Sequence, residues 1–186
     1  STLSPYDITP YGELEPLYLK IINYLDIKRE NILLTSGSDT AIKSIFETYV
    51  GKGEEVILTL PNYAMFSVYA EMFEASLINF NYSKNFDLNI KKLMKCITEN
   101  TKLIIISSPG HTGRAVPKSL LIDLIEKARN TNTLVLVDEA YYEFNADSMI
   151  DYINQFDNLI ITRTLSKAFG LASLRIGYLL GPQYLI

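Results

Sequence analysis

Thr164, Ser166, Lys167 and Arg175 fall within one run, Thr164–Arg175, that carries no other charge. The apolar neighbours around Lys167 predict a low-dielectric setting, which favours the neutral amine. A neutral amine is a nucleophile that can form a Schiff base with an aldehyde cofactor. Thr164, Ser166 and Arg175 are the residue types that hold a phosphate dianion, the arginine through a bidentate fork. The bland alternative for Arg175 is a surface ion pair worth little; the two hydroxyls nearby tilt the balance towards phosphate. Together the four residues suggest a lysine that anchors pyridoxal phosphate.

Asp138 follows Leu134-Val135-Leu136-Val137, so it stands where an apolar strand emerges. A carboxylate there needs a partner, because an unpaired buried charge is costly. A protonated pyridine nitrogen would supply one and would keep the ring an electron acceptor. Capping a loop or pairing with Arg163 is the competing reading, and for Asp138 taken alone it weighs more. Ser36-Gly37-Ser38-Asp39 lies at a strand-to-helix junction, where backbone N–H groups attract phosphate, although an ordinary capped turn reads the same way. Tyr63, after Pro61-Asn62, is placed to stack on a cofactor ring, against the alternative of plain packing in a chain with 13 tyrosines. Tyr141 could donate its hydroxyl to a cofactor oxygen; chemistry alone does not choose between it and Tyr142. His111, the single histidine, more often serves a local hydrogen bond than a cofactor contact.

These residues need a scaffold. Helical spacing of apolar residues predicts helices over Glu13–Leu25, Thr40–Tyr49, Tyr63–Phe73, Ile90–Ile97 and Pro117–Asn130. Ser38 or Asp39 is the expected N-cap of the second, and Pro117 is expected in the first turn of the last. Strands are predicted at Asn31–Thr35, Glu55–Leu60, Leu77–Tyr82, Lys102–Ser107, Thr133–Val137, Asn158–Thr162 and Leu174–Leu180. The alternation implies an α/β fold, with three α/β/α layers around a mostly parallel sheet covered on both faces. In such sheets ligands collect beyond the carboxyl ends of the strands, which puts Gly37–Asp39, Pro61–Tyr63, Ser108–Gly113, Asp138 and Lys167 on one rim.

The 186 residues suffice for one domain, and a net charge of -4 gives no general attraction to nucleic acid. Cys96 is the single cysteine, so neither an intrachain disulfide nor a cysteine or histidine metal cluster is expected. The sequence shows no signal peptide and no apolar run of membrane-spanning length, and a cytoplasmic protein that does not engage membranes is the expectation. The abrupt ends read as one domain, residues 1–186, cut from a longer chain.

Five segments carry a family resemblance. They are Tyr11-Gly12-Glu13-Leu14, Leu33–Asp39, Pro61–Ser67, Asp138–Phe144 and Arg163–Gly177. The chain resembles the large domain of fold-type I pyridoxal-phosphate aminotransferases of class I/II, nearest the histidinol-phosphate branch. The resemblance implies that Lys167 binds the cofactor aldehyde and shuttles a proton between the substrate α-carbon and C4′. It implies that Asp138 binds the pyridine nitrogen, Tyr63 stacks on the ring and Tyr141 bonds the phenolic oxygen. The backbone of Ser38 and Asp39, with Thr164, Ser166 and Arg175, would hold the phosphate. A tyrosine reaching the partner subunit's phosphate would be Tyr6 or Tyr11, and a homodimer is implied. The activity implied is amino transfer between an amino acid and a 2-oxo acid, with a histidinol-phosphate or aromatic donor. The alternatives are an amino-acid phosphate decarboxylase of the same fold and a non-catalytic cofactor-binding or dimerisation module. A nucleotide-binding domain ranks last, for want of a glycine-rich fingerprint.

Two departures stand out. The family's Asn-Pro-Asn-Asn-Pro-Thr-Gly becomes Ser107-Ser108-Pro109-Gly110-His111-Thr112-Gly113, so the asparagine for the phenolic oxygen falls on Gly110, with His111 as a substitute. The C-terminal small domain, with its substrate-carboxylate arginine, has no counterpart in the 186 residues.

Overall fold

The computed structural model describes residues 12–144 and 147–186. Tyr6 and Tyr11 lie outside the described residues. One seven-stranded sheet runs in the order β1-β7-β6-β5-β4-β2-β3. Its strands are β1 (Ile32–Ser36), β2 (Glu55–Leu60), β3 (Ser76–Asn81), β4 (Thr101–Ser107), β5 (Leu134–Asp138), β6 (Leu159–Thr164) and β7 (Ile176–Leu180). All pairings are parallel except those of β7, which runs antiparallel to β1 and β6.

The central strands β4 and β5 are mostly apolar and buried because both faces of the sheet are covered there, whereas the edge strands β1 and β3 are partly exposed. Side chains alternate between two cores, as the two-residue period of a strand requires. On β4, Leu103 and Ile105 enter one core while Ile104 and Ile106 enter the other; β5 divides Leu134 and Leu136 from Val135 and Val137 in the same way. Helices α2 (Gly37–Tyr49) and α3 (Ala64–Met72) cover the first face through Ile42, Ile45, Phe46 and Phe66. Helices α1 (Glu15–Leu25), α4 (Ile90–Leu93) and α5 (Lys118–Arg129) cover the other, α1 with Tyr18 and Ile21, α5 with Leu121, Leu124 and Ile125. This is the three-layer α/β/α arrangement.

Some boundaries depart from the sequence reading. Helix α2 begins at Gly37, so Ser36 occupies its N-cap, without a side-chain capping bond, and Ser38 and Asp39 lie in the first turn. Pro117 precedes α5 in an extended conformation (φ -54°, ψ 134°) instead of joining its first turn. The helix expected over Ile90–Ile97 splits into α4 and a 3-10 turn at Met94–Cys96.

The direction of β7 decides where its connection to β6 lies. The start of β7 pairs with the ends of its neighbours, Ile176 with Ser36 and Gly177 with Thr164. The chain between β6 and β7 therefore stays on the rim where the parallel strands finish.

Candidate active site

A cleft of about 310 Å³ opens on that rim. All nine residues singled out in the sequence line it. Ser38 and Asp39 come from the first turn of α2, and Tyr63 from the residue before α3. Asp138 ends β5, with Tyr141 just beyond it. Thr164 ends β6, and Ser166, Lys167 and Arg175 come from the β6–β7 connection.

Lys167 corrects one expectation. Its apolar neighbours do not bury it: Lys167 is exposed, as are Phe169, Leu171 and Leu174. The segment is a surface connection whose apolar side chains face outward, so it forms no low-dielectric pocket of its own. The amine faces Tyr141, with Nζ 5.4 Å from the ring centroid, within cation–π range. Tyr142 turns the other way and lies under the Arg163 guanidinium at 3.8 Å. The structure thus separates two tyrosines that chemistry left equivalent.

Asp138 is buried, at 7% exposure. The Thr162 hydroxyl donates to its Oδ1 at 2.9 Å and the Ala140 N–H at 3.3 Å. No salt bridge reaches it among the described residues. Burial pushes its pKa up from 3.8 to about 6, against those two hydrogen bonds, with Glu139 and Asp39 adding to the rise. A cation at this carboxylate would relieve that cost. Of the competing readings, the loop cap forms through the Ala140 N–H and the pairing with Arg163 does not. Arg163 is buried against Glu139 instead, with Nη2 2.9 Å and Nε 3.0 Å from Oε2. Ser148 Oγ donates to Glu139 Oε2 at 2.8 Å and Met149 N–H to Oε1 at 2.7 Å. This network pins the chain after β5 to β6 behind the cleft and leaves Asp138 without a cationic partner of its own.

Opposite, the first turn of α2 presents backbone N–H groups that have no acceptor within the helix. Gly37 adopts φ +75°, and a Cβ there would stand 2.6 Å from Arg175 Nη2, so the guanidinium lies directly over this glycine. Arg175 is itself left-handed (φ 51°), an uncommon conformation outside glycine and one that marks local strain. Thr164 Oγ1 and Ser166 Oγ lie 2.9 Å apart in a hydrogen bond. Backbone amides, two hydroxyls and a guanidinium thus converge as an anion cradle. Tyr63 completes the wall; burial, then the neighbouring Asp39 carboxylate, pushes its phenol up to about 12.

The loop after β4 closes the cleft. Ser107, Pro109, Gly110 and His111 line it. A Cβ on Gly110 would stand 2.9 Å from the Ser107 carbonyl oxygen, so a larger residue does not fit this loop shape. His111 is therefore the polar side chain that the loop tip presents. Sequence reasoning did not name Ser107, Ile42, Ala140 or Ala172 as lining residues. Ile42 was within reach, since it stands one helical turn beyond Ser38 and shares its face.

A lysine, a buried carboxylate lacking a cation and an anion cradle fit a phosphorylated, nitrogen-containing aldehyde. The fold and this rim define a three-layer α/β protein built around such a group. Comparison with known proteins is more specific. The family described as aminotransferase class I and II matches residues 7–186, and the chain belongs to it. Histidinol-phosphate aminotransferase of Clostridium novyi is 39% identical over 166 residues, 88% of this chain and 46% of that protein. The same-named protein of Caldanaerobacter subterraneus is 36% identical over 176 residues, 94% and 49% respectively. The chain spans about half the length of these relatives. The crystal structure of histidinol-phosphate aminotransferase from Sinorhizobium meliloti in complex with pyridoxal-5'-phosphate superposes with a TM-score of 0.87 at 26% identity, over 97% of this chain and 50% of that one.

Proposed function

We propose that this chain is the cofactor-binding domain of a pyridoxal-phosphate-dependent aminotransferase that moves an amino group from an amino acid, of histidinol-phosphate or aromatic type, to a 2-oxo acid. The convergence of Lys167, Asp138 and the anion cradle on one cleft carries this reading. Bound there, pyridoxal phosphate supplies an electron sink for a bond breaking at the substrate α-carbon. Asp138 holds the proton on the pyridine nitrogen. Ser38 and Asp39 N–H groups, Thr164, Ser166 and Arg175 hold the phosphate. Tyr63 covers the ring and Tyr141 donates to its phenolic oxygen. Lys167 lines the same cleft, where its amine would hold the cofactor through the aldehyde carbon, with loss of water, and would carry the proton between the substrate α-carbon and C4′. The protein acts as a homodimer, a reading supported by exposed apolar side chains on the Lys167 segment.

The test is direct. Purified protein given pyridoxal phosphate develops visible absorbance, and Lys167→Ala abolishes it. An unchanged spectrum in both would overturn the proposal. Asp138→Asn keeps the cofactor but slows α-proton removal by about a hundredfold or more, the scale of an acid–base contribution. An unaltered single-turnover rate would refute its role. The glycine at position 110 favours one second reading, a module that binds cofactor without turnover; cofactor absorbance that does not respond to any amino donor would support it.

A further inference from the structure

The groups of the anion cradle are already engaged with one another. Arg175 Nη2 lies 3.6 Å from Asp39 Oδ2, and Nη1 donates to the Ala172 carbonyl at 3.2 Å. The Arg175–Asp39 contact is longer than a charge-assisted hydrogen bond, and both side chains are partly exposed, at 49% and 37%. Asp39 stands in the first turn of α2, on the same cleft wall as Ser38. Its negative charge reaches across the cleft, contributing to the raised pKa values of Tyr63, Tyr69 and Asp138. A carboxylate in an anion site is the wrong sign for the ligand, yet the right one for the arginine that must wait there.

We infer that the Asp39 side chain is a stand-in anion: it holds Arg175 over Gly37 and must be exchanged for the phosphate, so it weakens anion capture while keeping the guanidinium in place. This inference rests on the reading of the cradle as the phosphate site and adds a role for the Asp39 side chain, beyond its N–H. A phosphate dianion offers Arg175 shorter, bidentate bonds than a 3.6 Å contact does.

The experiment titrates inorganic phosphate into the purified, cofactor-free protein, followed by 31P NMR. Asp39→Asn, which keeps the shape and removes the charge, binds phosphate about three- to tenfold more tightly, the scale of the screened Asp39–Arg175 attraction that the phosphate must displace. In an Arg175→Gln background the same substitution gains much less, because there is no guanidinium left to compete for. Equal or weaker binding by Asp39→Asn overturns the inference. So does a gain that persists undiminished without Arg175, which would mark Asp39 as a bystander charge. Asp39→Ser is a second variant, in case the asparagine disturbs the helix start, and a thermal melt of each variant confirms folding. Phosphate binding needs neither Lys167 nor an aldehyde, so the result is separable from the absorbance test of the proposed function.

Discussion

A single carboxylate shows how much of the site is electrostatic. In the folded protein Asp138 has its pKa raised from 3.8 to about 6 by burial. Between those values the folded state binds more protons than the unfolded chain, so stability falls as pH rises through that window. Above pH 6 the whole penalty is present, about 2–3 kcal/mol for a shift of roughly two units. Asp138→Asn removes the charge and retains an acceptor for Thr162. Denaturant unfolding of the cofactor-free protein is therefore expected to show the variant more stable than wild type at pH 7.5, with the difference vanishing below pH 4. A variant less stable at both pH values would contradict this account. The sequence pointed to Asp138 because the apolar run before it ends abruptly. It did not reveal the true partner of Arg163. Strand register sets that partner: Asp138 pairs with Thr162, so Arg163 falls one residue on and meets Glu139. Register between strands some two dozen residues apart is a property of the assembled sheet, and no local pattern encodes it.

At the scale of elements, two contacts hold the rim together. The first is the buried Glu139–Arg163 pair with Ser148, which fastens the chain beyond β5 to β6. Breaking it strands a buried charge: Arg163→Met is expected to cost about 3–5 kcal/mol in chemical denaturation. Replacing Glu139 by leucine in the same protein should restore most of that loss, since an apolar pair of similar volume leaves no charge uncompensated. The second is the approach of β7 to α2. A Cβ on Gly177 would stand 2.4 Å from Gly37 C and from Ser38 N, both backbone atoms that cannot step aside. Gly177→Ala must push the start of β7 away from the start of α2, a strain of about 1–3 kcal/mol, and must open the anion cradle between them. Loss of phosphate affinity in a variant that still folds is the expected signature; unaltered affinity would show that the cradle tolerates the shift. Most elements were legible because period and length agree with the fold: β2 matches its expected span, Glu55–Leu60. Helix α2 was read as starting too late, because Gly37 and Ser38 are poor helix formers that fold here through tertiary contact with Arg175 and β7.

For the molecule as a whole, the layers were legible and the surface was not. Alternating apolar residues on β4 and β5 serve two cores at once, which only a doubly covered sheet permits. The β6–β7 connection has the same apolar content with the opposite fate. Phe169 is 43% exposed, Leu171 38% and Leu174 57%, while Tyr24 of α1 packs edge-on against Phe169 with ring centroids 6.3 Å apart. Composition alone cannot tell an apolar residue destined for the core from one destined for a partner. Large apolar side chains gathered beside a ligand cleft mark an interaction surface, and the proposed homodimer gives them an occupant. Phe169→Glu and Leu174→Glu each replace an exposed side chain, so neither should disturb the fold. In a dimer interface each would bury an unpaired charge, which costs far more than the lost contact. Sedimentation velocity should therefore find wild-type protein as a dimer and both variants shifted towards monomer, with unchanged circular dichroism. A wild-type protein that stays monomeric on concentration, or variants that dimerise as wild type does, would remove the Lys167 segment from any subunit interface.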